Sequence, residues 1–176
     1  MNTFKVDKRD FSQSAKKLRR AGIVPGTVFG GGLPETISLQ MDAAAAKKLI
    51  TSKRVGSQLT LELEGKMIPV QLKVKETDPL TGTILHVDFQ ALASDQKINS
   101  VIHILVKNAD KLTAVLQHHL MEIPYASLPE DMIDTITIDV DGLPVGTAIT
   151  VADIPELQSD KIELQVPADE LVMRIA

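Results

Sequence analysis

Apolar and polar residues alternate with period two along most of this chain, and only two stretches break into helical spacing. Residues 3–7 (TFKVD) alternate and read as a first strand. From Ser12 the spacing changes: Ala15, Leu18 and Ala21 form a narrow apolar seam, with Lys16, Arg19 and Arg20 on the opposite side. Ser12 or Ser14 can cap this helix and Gly22 can stop it, which predicts about three turns. A glycine and proline loop follows (Gly22, Pro25, Gly26), then a short strand, Thr27 to Phe29, entering the turn Gly30–Gly32. Residues 35–40 (ETISLQ) form another strand. Asp42 ahead of AAAAKKLI is an N-cap before strong helix formers, so 43–52 is the second helix. The clearest hairpin joins QLTLELE to MIPVQLKVK through a turn at Gly65, with Glu62, Glu64, Gln71, Lys73 and Lys75 on its open face. The turn-rich TDPLTG leads into TILHVDFQAL, the last strand of this half. Many short strands with two small helices suit a closed or partly closed barrel better than a parallel sheet.

A boundary falls near 93–97 (ASDQK), where the pattern changes. Beyond it VIHILV, AVLQHHLMEIPY, DTITIDV, TAITV and IELQVPADELVMRIA follow one another as strands at hairpin distances. Pro124, Pro129, Pro144, Pro155 and Pro167 exclude long helices there. The fold class is therefore mainly β (α+β): an N-terminal β-barrel with short helices over 1–93, and an all-β domain over 97–176.

Charge sharpens that division. The net charge of −4 divides into +8 over residues 1–75, from fourteen Lys and Arg against six Asp and Glu, and −12 over 76–176, from five against seventeen. Two solvated surfaces would account for this by themselves, but five cations packed into Arg9–Arg20 favour a polyanion as partner. Cysteine is absent, which removes disulfides and thiolate chemistry and fits a reducing cytosol. The charged beginning MNTFKVDKRD does not suit a signal peptide, and no apolar run is long enough to cross a bilayer, so a soluble intracellular protein is expected.

Catalytic and metal signatures are weak. VFGGGLP lacks both the GxGxxG spacing and a following Lys–Ser or Lys–Thr, so its glycines read as a tight turn. Adjacent His118 and His119 face opposite ways in a strand and cannot share a metal, and no cofactor is expected. His103 lies in an apolar run as a strand residue. His86 and Asp88 differ, because in a strand they project from one face and the carboxylate can orient the imidazole. The hydroxyls that could complete a triad (Ser94, Ser100, Thr81, Thr83) lack an elbow-like context. Structural pairing and contact with RNA sugar and base edges stand even on residues alone, with catalysis behind both. The expectation is a non-enzymatic protein.

An Arg-rich short helix, then RRAGIVPGTVFGGG, then DPLTGTILHVDF, resembles the bacterial 5S rRNA-binding ribosomal protein family, large-subunit protein twenty-five, also known as the general stress protein Ctc group. MEIPYASLPEDMIDTITIDVDGLPVGTAITVADI is similar to the extra C-terminal β domain of its long members. The resemblance implies a cytoplasmic ribosomal protein whose N-terminal barrel binds 5S rRNA, with contacts at Arg9, Arg20, Phe29, His86 and Asp88. Lys16 and Arg19 join them as phosphate contacts on charge alone. Partners would be 5S rRNA, the large ribosomal subunit and a neighbouring ribosomal protein at the C-terminal domain, with no membrane and no small-molecule substrate. Three features depart from the family pattern. Phe29 stands where tyrosine is usual, VQLKVKET lacks a Gln–Arg type ending, and VKNADKLTAVLQHHL lacks a glycine-rich start. They motivate the rival reading, a stress-related protein-interaction module with weakened RNA binding.

Overall fold

A computed structural model describes residues 3–176. The chain divides into two compact units, Met1–Gln96 and Lys97–Ala176. The first is a closed six-stranded barrel of β1 (Thr3–Lys8), β2 (Ile23–Phe29), β3 (Ile37–Asp42), β4 (Gln58–Leu63), β5 (Lys66–Thr77) and β6 (Ile84–Ala91), in the order β1-β3-β2-β6-β5-β4. Neighbours run antiparallel except β2 with β6 and β1 with β4, which are parallel. Alternation does the sorting: Phe4, Val6, Val24, Val28, Leu39, Leu61, Val87 and Phe89 point inward and are buried, and their neighbours point out. The β4–β5 hairpin turns on Glu64 (φ 51°) and Gly65 (φ 77°), the two positive φ angles of a type I′ turn.

Two helices complete the unit. α2 (Ala43–Ser52) begins on Asp42, whose Oδ2 accepts from Ala44 N at 2.8 Å and Ala45 N at 3.3 Å, and it lays Ala46 and Leu49 into the barrel core. α1 (Ala15–Arg20) begins on Ser14 and spans six residues, about one and a half turns rather than three. The chain from Arg9 to Gln13 is instead a loop organised by Asp10, whose carboxylate accepts from Ser12 N at 2.9 Å and Gln13 Nε2 at 3.3 Å. Those bonds, from Ser12 above all, hold the Asp10 carboxyl below its ordinary value.

Two further expectations need correction. Pro25 and Gly26 belong to β2 and are buried, because β2 starts at Ile23 and runs against β3 from there. A Cβ on Gly26 would lie 2.2 Å from the Val87 carbonyl oxygen, so glycine is required by the close approach of β6 and not by a loop. Gln71 is not on an open face. It lies opposite Gln90 on the outer side of β5, between the core residues Val70 and Leu72, and is buried there all the same, with Nε2 donating to Gly56 O at 3.3 Å.

The second unit contains β7 (Ile98–Lys107), β8 (Leu116–His118), β9 (Glu122–Ser127), β10 (Thr135–Asp139), β11 (Ala148–Thr150), β12 (Ile162–Leu164) and β13 (Leu171–Ile175). They form a four-stranded sheet, β10-β7-β9-β12, and a three-stranded sheet, β11-β13-β8, over one core that includes Ile102, Ile123, Tyr125, Val151, Val172 and Met173. AVLQHHLMEIPY divides between β8 and β9, and β10 runs parallel to β7, so these strands are not a simple series of hairpins. The prolines leave only 3-10 turns as helical structure there. Tyr125 closes the core: its hydroxyl donates to Ile133 O at 3.0 Å and accepts from Ile133 N at 2.8 Å. Among the described residues no helix is long and apolar enough to cross a membrane.

Candidate nucleic-acid interface

β2 and β6 lie side by side and in parallel, which sets Thr27 opposite Asp88 and Phe29 opposite Gln90. From His86 onward the even positions of β6 face out, because Val87, Phe89 and Ala91 face the core. On that outer face His86 Nε2 meets Asp88 Oδ1 at 2.9 Å, and Thr27 Oγ1 donates to the same oxygen at 2.7 Å. The carboxylate therefore sits in the middle, between a hydroxyl and an imidazole. With Nε2 engaged, His86 Nδ1 is enclosed and has no partner among the described residues. The His86 side chain is 36% exposed, and Asp88 keeps Oδ2 as a further acceptor.

α1 packs on β2, with Leu18 buried beneath it. Arg19 does not project freely with its neighbours. It is half-buried and Nη1 donates to Leu85 O at 3.3 Å, which ties the cationic helix to β6 one residue before His86. Lys16, Lys17 and Arg20 are exposed. Arg9 lies in the loop after β1, its N–H donating to Ser38 O of β3 at 3.0 Å and its guanidinium stacked over the Phe11 ring at 5.4 Å. Arg9 Nε is buried without a partner among the described residues. Phe29 closes β2, half-buried. The fold thus joins His86 to Asp88 directly and anchors Arg19 beside them. Lys16 and Arg20 stand on the exposed surface of the same helix, and Arg9 lies beside the start of β3.

Residues 4–89 match the ribosomal L25p family, and residues 97–176 match the C-terminal domain of ribosomal protein TL5. The large ribosomal subunit protein bL25 of Dictyoglomus thermophilum is 31% identical over 184 aligned positions, covering 97% of this chain and 87% of that one. The protein of the same name from Bacillus pumilus is 29% identical, covering 92% and 80% respectively. The chain belongs to the ribosomal L25p family.

Two residues of this L25p barrel escape a reading of the sequence. Thr27 reads as part of a short apolar run, and only the parallel pairing of β2 with β6 brings it to Asp88. Phe11 is 75% exposed and flanked by Arg9, an aromatic face beside a cation. Its signal was available in the sequence as a lone aromatic inside the basic segment. A catalytic triad needs the imidazole between nucleophile and carboxylate, and here Thr27 bonds to the carboxylate, the wrong end of the series. Among the described residues no group of three or more His, Asp or Glu is arranged to hold a metal ion.

Proposed function

We propose that this L25p-family chain is a non-enzymatic structural protein of the large ribosomal subunit, working in the cytoplasm, and that residues 1–93 bind 5S rRNA. Its relatives carry the name large ribosomal subunit protein, which supports the ribosomal part of the reading. The observation that supports the RNA part is the Thr27–Asp88–His86 series on the outer face of β2 and β6, with the cationic helix fastened beside it through Arg19 and Leu85. Lys16, Lys17, Arg19 and Arg20 bind phosphate oxygens and fix position along the backbone. Asp88 Oδ2 accepts from a 2′-hydroxyl in the wide, shallow groove of A-form RNA, and the His86 ring packs against the sugar edge. Phe11, Arg9 and Phe29 supply stacking surfaces at the margin. The acidic residues 97–176, with five Lys and Arg against thirteen Asp and Glu, are kept off the RNA by repulsion.

A salt titration of binding to 5S rRNA tests this. With four cations on phosphates, log affinity falls against log salt with a slope of about −3.6 for a duplex-like site. Arg20→Ala reduces that slope by about one unit, and His86→Ala weakens binding with the slope unchanged. Weak binding that neither substitution alters would instead favour the interaction-module reading, for which Phe29, without a hydroxyl to offer RNA, is the motivating residue.

A further inference from the structure

In the second unit β10 is an outermost strand, paired with β7 on one side. Two bonds fix which backbone groups of β10 face β7: His103 N donates to Asp134 O at 3.1 Å, and Val140 N donates to Lys107 O at 3.2 Å. In a parallel ladder that phase commits Asp134, Ile136, Ile138 and Val140 to β7. The N–H and C=O groups of Thr135 and Thr137 therefore point away from the sheet, of which β10 is the outermost strand. Protein edges are ordinarily blunted by lysine, proline or a bulge, and Thr135–Thr137 has none of these. Asp139, at the strand's end, turns its carboxylate to Asn108 Nδ2 at 2.7 Å.

Against the same strand lies a cavity of about 250 Å³, walled by Ile136, Ile138, Ile149 and Ile154 and rimmed by Asp153 and Glu156. Among the described residues no Lys or Arg lines it. Asp153 accepts from Thr150 N at 2.8 Å and Thr150 Oγ1 at 2.7 Å, and those bonds hold its carboxyl below the ordinary value, so it stays charged. Open backbone groups, an apolar hollow and carboxylates on its rim are the three components of strand-addition recognition of a cationic peptide.

We propose that β10 is a docking edge for an extended basic segment of a protein partner. The segment adds a strand beside Thr135–Asp139, sets one apolar side chain into the cavity and pairs flanking Lys or Arg side chains with Asp153 and Glu156. Charge decides among occupants. A second copy paired edge to edge would bring its own residues 97–176, thirteen Asp and Glu against five Lys and Arg, and RNA would bring phosphates to the same carboxylates. The site is independent of the RNA surface on residues 1–93.

The test uses the full chain and a synthetic peptide, Lys-Lys-Val-Thr-Val-Arg-Lys, followed by NMR. Saturable shifts centred on Thr135, Thr137 and Glu156 are expected, with slowed solvent exchange of the Thr135 and Thr137 amides. Thr137→Pro removes an outward N–H and no β7 bond, so affinity falls by about tenfold or more while the fold is kept. Glu156→Lys weakens binding by reversing a rim charge, and it decides the matter if Thr137→Pro unfolds the unit. A peptide with Glu in place of Lys and Arg does not bind. Binding without exchange protection, or indifferent to both substitutions, overturns the proposal in favour of diffuse charge attraction. Protection that grows with protein concentration and no peptide overturns it in favour of a second copy. Shifts at β10 produced by 5S rRNA overturn it in favour of RNA.

Discussion

Gly26 is where a single residue decides most. Its missing Cβ lets β6 approach β2, and the parallel pair so formed aligns Thr27 with Asp88. Gly26→Ala pushes a methyl group into the Val87 carbonyl and is expected to destabilise the barrel by about 3 kcal/mol, the upper end for an overpacked site. A lowered urea midpoint with an unchanged slope would show it. RNA affinity should fall as well, because the Thr27 hydroxyl moves away from Asp88. An unchanged midpoint would mean that the two strands separate easily, and that their registration does not depend on glycine.

At the scale of elements, the two helices are held in different ways. α2 is capped by Asp42 through two backbone amides and buries Ala46 and Leu49. Asp42→Ala is expected to cost about 1 kcal/mol of stability, and Asp42→Asn, which keeps the acceptor, much less. Denaturant midpoints of the two variants measure the difference, and equal losses would count against capping. α1 is too short to be stable alone, and its cap is weaker, with Ser14 Oγ 3.4 Å from Lys17 N. Leu18 and the Arg19–Leu85 bond hold it in place. Lys17, Arg19 and Arg20 crowd its last turn, where the helix dipole favours cations. The same residues that make the helix cationic therefore help to keep it folded.

For the whole molecule, two separate cores and opposite charge predict separable behaviour. Residues 1–96 hold fourteen Lys and Arg against ten Asp and Glu, and residues 97–176 hold five against thirteen. Calorimetry of the full chain is expected to show two transitions. Adding 5S rRNA raises only the transition that Gly26→Ala lowers, because a ligand stabilises the unit that binds it. A shift of the other transition, or of both together, would contradict the assignment of RNA binding to residues 1–93.

Much of this fold is local in origin and legible in the sequence. Period-two alternation identified the barrel strands, Asp42 ahead of AAAAKKLI marked α2, and the turn at Gly65 marked the clearest hairpin, because each depends on neighbours within a few residues. His86 and Asp88 were legible as a pair for the same reason, being two apart in one strand. Tertiary structure alone decided the rest. Thr27 and Asp88 are sixty-one residues apart, and Arg19 and Leu85 sixty-six, so neither bond has a local signal. The length of α1 was set by Asp10, whose bonds to Ser12 and Gln13 hold the preceding residues in a loop. Gln71 kept the outer side that alternation assigns, but it is buried there with a bond to Gly56, fifteen residues away, which alternation cannot report. Sequence determined which residues could be inside and which carried charge, whereas long-range strand pairing decided which of them meet.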